Sequence, residues 1–72
     1  MQHARYFIVR DRNQWLIKYN DEEYGPYRTQ AEATLFAVEA ARKLSERGEN
    51  AAVYVLGANG RLRREWAPGQ AA

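Results

Sequence analysis

The sequence predicts an α+β fold, a small antiparallel sheet with one helix packed on one face, in the order β-β-(β)-α-β-β. Three observations predict it. Two short apolar runs separated by turn residues open the chain, a capped segment of helical period lies in the middle, and an Asn-Gly pair between two alternating runs lies near the end. Seventy-two residues make one domain, 1–72, with 4–67 ordered and 68–72 a frayed tail.

The elements follow in order. YFIV (6–9) and WLI with Tyr19 (15–19), divided by DRNQ, read as a β-hairpin, and NDEE (20–23) as a second turn. Tyr24 to Tyr27 form a short third strand, confined to an edge because Pro26 has no N–H to donate. Thr29 and Glu32 then make a T-x-x-E capping box, which starts a helix running to about Arg47. Gly48 ends it in a left-handed conformation, and Lys43 and Arg47 suit the negative end of its dipole. At 100° per residue, Ala33, Phe36, Ala37, Ala40, Ala41 and Leu44 share one side, with Val38 at its margin. That stripe, mostly of alanine, lets the helix lie close to a sheet.

AAVYVL (51–56) and RLRREW (61–66) flank Ala58-Asn59-Gly60 and read as a second hairpin. A two-residue loop sets Val55 opposite Arg64 and Val53 opposite Trp66, and a four-residue loop keeps the same faces. Val53, Val55, Leu62, Arg64 and Trp66 then face the helix, while Tyr54, Leu56, Arg61, Arg63 and Glu65 face away. Strand order, and which face of the first hairpin meets the helix, are not determined by these patterns.

Composition narrows function mainly by exclusion. There is no Cys, one Ser (Ser45) and one His (His3, in an end expected to be flexible), so no nucleophile and base are brought together by any motif. A lone imidazole without thiolates makes a poor metal site, and Asp21-Glu22-Glu23 lack the alternating spacing of a calcium loop. Gly57-Ala58-Asn59-Gly60 has neither the Lys nor the following helix of a phosphate loop. The expectation is a protein without catalytic residues, cofactor or metal. No apolar run is long enough to span a membrane, and the absence of Cys fits a cytoplasmic location.

Charge is nearly balanced, with basic and acidic residues four against four in 1–24, four against four in 25–50, and three against one in 51–72. The net charge of +2 therefore arises in the Arg61, Arg63 and Arg64 segment. Phosphate binding draws on clustered cations, which two of the three segments lack.

One pattern asks for more than a monomer. YFIV is apolar on both strand faces, Tyr6 with Ile8 and Phe7 with Val9, and AVYVL repeats this with Tyr54 and Leu56 opposite Val53 and Val55. One helix covers one face. Of 33 hydrophobic residues 12 are Ala, so bulky side chains are scarce and the spare ones are expected to be covered by a second copy or another protein. Phe7, Tyr54 and Leu56 supply the apolar contact of that face, with Arg61 and Arg63 at its rim. The same residues admit a second reading, in which Tyr54 stacks a base beside Arg61 and Arg63; plain Arg–carboxylate pairs on an exposed strand are favoured over it. Trp15 and Trp66 read as core.

Taken together, W-x-I-x-Y, "YGPYRTQAEA", "AVEAARKL", "RGENAAVYV" and "GANGRLRREW" resemble the DUF2188-like family of short bacterial proteins of unknown function, over about residues 6–66. The matching positions are Trp15, Gly25, Pro26, Thr29, Glu32, Ala33, Gly60, Glu65 and Trp66, all with structural roles, so the resemblance implies a fold and no activity. After Trp66 the chain departs from the family pattern, with Ala67-Pro68-Gly69 where Thr-Tyr-Gly is expected. A looser resemblance joins the turn, Thr cap and helix to three-stranded DNA-binding domains of the AP2 and integrase-arm type. Those use a strongly basic sheet, which residues 1–28 do not provide, with five basic and four acidic side chains. The resulting expectation is a small interaction module, self-associating through its open sheet face.

Overall fold

A computed structural model describes residues 3–57 and 59–68. Five strands and one helix follow as β1 (His3–Asp11), β2 (Gln14–Tyr19), β3 (Glu22–Tyr27), α1 (Gln30–Glu46), β4 (Asn50–Leu56) and β5 (Leu62–Trp66). They form one sheet in the order β3-β2-β1-β4-β5, with α1 packed on one face. The third strand begins two residues before Tyr24, at Glu22. His3 is not in a loose end, since it pairs with Asn50 in the sheet. Of the expected tail only Pro68 is described; 69–72 lie outside the described residues, as does Ala58 in the last turn.

The sheet is mixed rather than purely antiparallel. β1 pairs antiparallel with β2 but parallel with β4, Phe7 opposite Tyr54 and Ile8 opposite Val55. The cause is α1, whose 17 residues carry the chain back over about 25 Å at 1.5 Å per residue. β4 therefore starts beside the start of β1 and runs the same way. This placement puts both doubly apolar strands, β1 and β4, inside the sheet, where neighbours cover both edges. Pro26 sits on edge strand β3, as its missing donor requires.

The three turns explain the register. Arg12 and Asn13, at φ 52° and 65°, make a two-residue turn between Asp11 and Gln14, shorter than the DRNQ run. Asn20, at φ 55°, turns β2 into β3. In the third turn Gly57 N donates to Arg61 O at 2.8 Å and Gly60 N to Gly57 O at 2.9 Å, which leaves an odd loop of residues 58–60. Loops of two or four residues keep one set of faces, and an odd loop inverts it. Hence Leu56 pairs with Leu62, Tyr54 with Arg64 and Val55 with Arg63, which corrects the expected facing of all three β5 residues. A register shift between Val53 and Tyr54 then absorbs one residue and returns Trp66 to Val53, the expected pair.

Helix α1 is capped at both ends. Thr29 Oγ1 accepts from Glu32 N at 3.0 Å, while Glu32 Oε1 accepts from Arg28 N at 3.3 Å, one residue before the cap. At the other end Gly48 (φ 88°) donates to Ser45 O, and Glu49 N to Leu44 O, a Schellman closure. Ala33, Ala37 and Ala41 are buried against the sheet, with Val38, Ala40 and Leu44 partly so. Phe36 does not join them. It is 51% exposed and leans on Tyr27 at 5.3 Å between ring centroids.

The core lies between α1 and Ala4, Tyr6, Ile8, Ile17, Ala51, Val53 and Val55. The face of the first hairpin that meets the helix is thus the Tyr6–Ile8–Ile17 face. Ile8 and Val53, both wholly buried, are each worth about 1.5–3 kcal/mol of burial. Trp15 and Trp66 pack at the core's margin, partly buried.

Candidate interaction face

Side chains of directly paired residues share a sheet face. Following the pairs from Glu23 to Lys18, Phe7, Tyr54 and Arg64 traces one row across all five strands, on the face away from the helix. Phe7 and Tyr54 occupy its middle, half-buried and stacked at 5.5 Å with 20° between ring planes. Lys18 and Glu23 approach to 3.9 Å at one end, an exposed pair of small energetic weight. Arg64 stands exposed at the other end.

A second row lies beside the first. Val9 pairs with Leu16, and Leu56 with Leu62. Val9 and Leu16 are half-buried, Leu56 is 36% exposed and Leu62 54%. Six apolar side chains therefore stand together on a face that, among the described residues, no element covers.

Of the five residues expected on this face, Phe7, Tyr54 and Leu56 are on it. Arg63 is not, because it pairs with Val55 on the helix side, where its Nε donates to Glu65 Oε1 at 2.8 Å. Arg61 lies in the turn, its N–H bonded to Asn59 Oδ1 at 3.1 Å. The cations of the face are instead Arg64, Lys18 and Arg5, the last paired with Ala52 in the row before Phe7 and Tyr54. Sequence reasoning also left out Leu16 and Leu62. Leu16 was accessible from alternation, since it stands between Trp15 and Ile17; Leu62 was hidden by the parity of the loop.

The stacking surface for a base is not assembled either, because Tyr54 and Arg63 stand on opposite sides of the sheet. Among the described residues no helix is long and apolar enough to cross a membrane.

Fold and face together define a small α+β domain with a helix on one side of a mixed five-stranded sheet and an apolar, charge-rimmed surface on the other. More specifically, the chain belongs to the DUF2188 family, described as "Uncharacterized protein conserved in bacteria", which matches residues 6–67. No curated protein and no solved structure matches it.

Proposed function

We propose that this protein is a non-enzymatic cytoplasmic interaction module that forms a homodimer through its open sheet face. The observation that carries this reading is the row Glu23–Lys18–Phe7–Tyr54–Arg64, aromatic at its centre, with the Glu23–Lys18 ion pair at one end and Arg64 at the other. A two-fold axis parallel to the strands, set between two stacked sheets, brings β5 of one copy over β3 of the other. Arg64 of each copy then meets Glu23 of its mate, Tyr54 meets Lys18, and the two Phe7 rings meet at the axis. A surface that complements itself in this way is what an isologous contact demands.

The absence of Cys, with one Ser and one His in the chain, supports a role without catalysis or a metal.

The test is sedimentation equilibrium over about 1–100 µM, on the native chain and on Tyr54→Asp. The expected result is a dimer that Tyr54→Asp converts to a folded monomer. A native chain that stays monomeric throughout ends the proposal.

A further inference from the structure

The open face leaves the arginines of the turns unexplained, and they gather elsewhere. Because β1, β3 and β4 run the same way, the β1–β2 turn, the start of α1 and the β4–β5 turn all lie at one end of the molecule. Between the two hairpin tips is a cleft of about 1020 Å³, lined by Arg10, Arg12, Arg61 and Arg63 together with Trp15 and Leu62. Gln30 closes its third side, so the positive end of the helix dipole faces the same space. Among the described residues no carboxylate lines it.

The cations are little neutralised. Among the described residues only Lys18–Glu23 and Arg63–Glu65 are ion pairs, so Arg10, Arg12 and Arg61 have no carboxylate partner within 4.0 Å. Arg10 is held in place by neutral groups, donating to Asn13 Oδ1 at 3.2 Å and lying 5.9 Å from the centre of the Trp15 ring. With Arg63 neutralised by Glu65, the three guanidinium groups of Arg10, Arg12 and Arg61 in a molecule of net charge +2 concentrate positive potential at one pole.

The shape selects among anions. All four arginines are exposed, so the cleft is an open trough, whereas a site for a small phosphorylated ligand encloses most of it. A chain that enters and leaves suits a trough. The lining on the Arg10 side also includes Trp15, a partly buried ring that meets bases only where those are unpaired.

We propose that the cleft between the hairpin tips binds single-stranded nucleic acid, with Arg10, Arg12 and Arg61 on consecutive phosphates and Trp15 against a base. Tyr54, on the other side of the sheet, takes no part.

Fluorescence anisotropy of a labelled mixed-sequence single-stranded 12-mer tests it, titrated with the full chain at about 20–200 mM salt. Binding is expected at low salt, with a log–log salt slope of roughly −2 for three phosphates. The double variant Arg12→Glu/Arg61→Glu, confirmed folded by circular dichroism, should weaken binding at least about tenfold. Single changes to Ala at either position should flatten the slope by about 0.7. Tyr54→Asp should bind as the native chain does, whether or not it dimerises, which keeps this test separate from that of the open face. No binding at 20 mM salt, binding indifferent to the double variant, or loss of binding in Tyr54→Asp each overturns the proposal. Equal affinity for duplex, or displacement by stoichiometric nucleoside triphosphate, also overturns it by assigning the cleft to another ligand.

Discussion

Phe7 and Tyr54 stand opposite each other on parallel strands β1 and β4, their rings stacked 5.5 Å apart on the face that the helix does not reach. Such a pair contributes about 0.5–1.5 kcal/mol beyond the area it covers. In a monomer that coupling is a property of the protomer alone. In a dimer, replacing either ring also weakens association, so the apparent coupling depends on concentration. A double-mutant cycle with Phe7→Leu and Tyr54→Leu, followed by urea unfolding, should give about 1 kcal/mol at 1 µM and a larger value at 100 µM. Identical values would show that the rings serve only their own protomer.

The legibility of the chain was uneven for physical reasons. Helix α1 was readable because its ends are local chemistry: the Thr29 cap, Gly48 and a four-residue alanine spacing all act within a few residues. The parallel contact of β1 with β4 was not readable, since it joins segments more than forty residues apart and depends on where the helix returns the chain. Faces along β5 depended on a single number, the parity of residues 57–61. An odd loop moved Leu62 and Arg64 to the open face and Arg63 to the other. Alternation along β4 puts Tyr54 and Leu56 on the face away from the helix, whereas which face of β1 turns outward, and so the place of Phe7, was not legible from alternation alone. The charge cluster at the hairpin tips escaped notice because Arg10 and Arg12 are nearly fifty residues from Arg61 and Arg63.

Ala37 lies at the middle of the helix stripe, 1% exposed, with Ala33 and Ala41 buried one turn to either side. A larger side chain there has to lift the helix from β1 and β4. Ala37→Leu should therefore cost about 1–3 kcal/mol by overpacking, despite leucine's good helix propensity. Leu35→Ala, on the exposed side of the same helix, should change stability by less than about 0.5 kcal/mol. Thermal unfolding of the two variants measures the contrast, and similar losses from both would mean that the stripe does not set the helix–sheet distance.

At Gly25, β3 passes close to β2. Its φ is +126°, and a Cβ there would lie 3.0 Å from the Trp15 carbonyl oxygen and 3.1 Å from Leu16 Cδ2. The register of β2 and β3 shifts between Trp15 and Ile17, beside this contact. Gly25→Ala thus meets both a backbone oxygen and an unfavourable dihedral, and should lose about 1–3 kcal/mol. Gly60→Ala, also at positive φ (+81°) but with open space around its would-be Cβ, should lose only about 1 kcal/mol. Equal losses in urea unfolding would remove the steric part of this account.

Tyr6 makes alkaline stability sensitive to one hydroxyl. Burial raises its pKa above the ordinary tyrosine value, and the neighbouring Tyr19, Tyr24 and Glu49 raise it further by disfavouring a second negative charge. The phenol is therefore harder to ionise folded than unfolded, so as pH climbs past about 10 the unfolded chain releases this proton first. The stability associated with the neutral phenol is whole below that pH and is lost as pH rises toward the folded-state value. Tyr6→Phe keeps a ring to stack on Tyr19, now at 4.5 Å and 12°, and removes the proton. Its alkaline unfolding midpoint should move to higher pH than that of the native chain, with a change of less than about 1 kcal/mol at pH 7. Tyr24 is a fitting control: its pKa is raised chiefly because its hydroxyl donates to Glu22, at 2.8 Å, and its side chain is exposed. Tyr24→Phe should leave the midpoint close to native. If Tyr6→Phe and the native chain unfold at the same alkaline pH, the buried phenol is not what limits stability there.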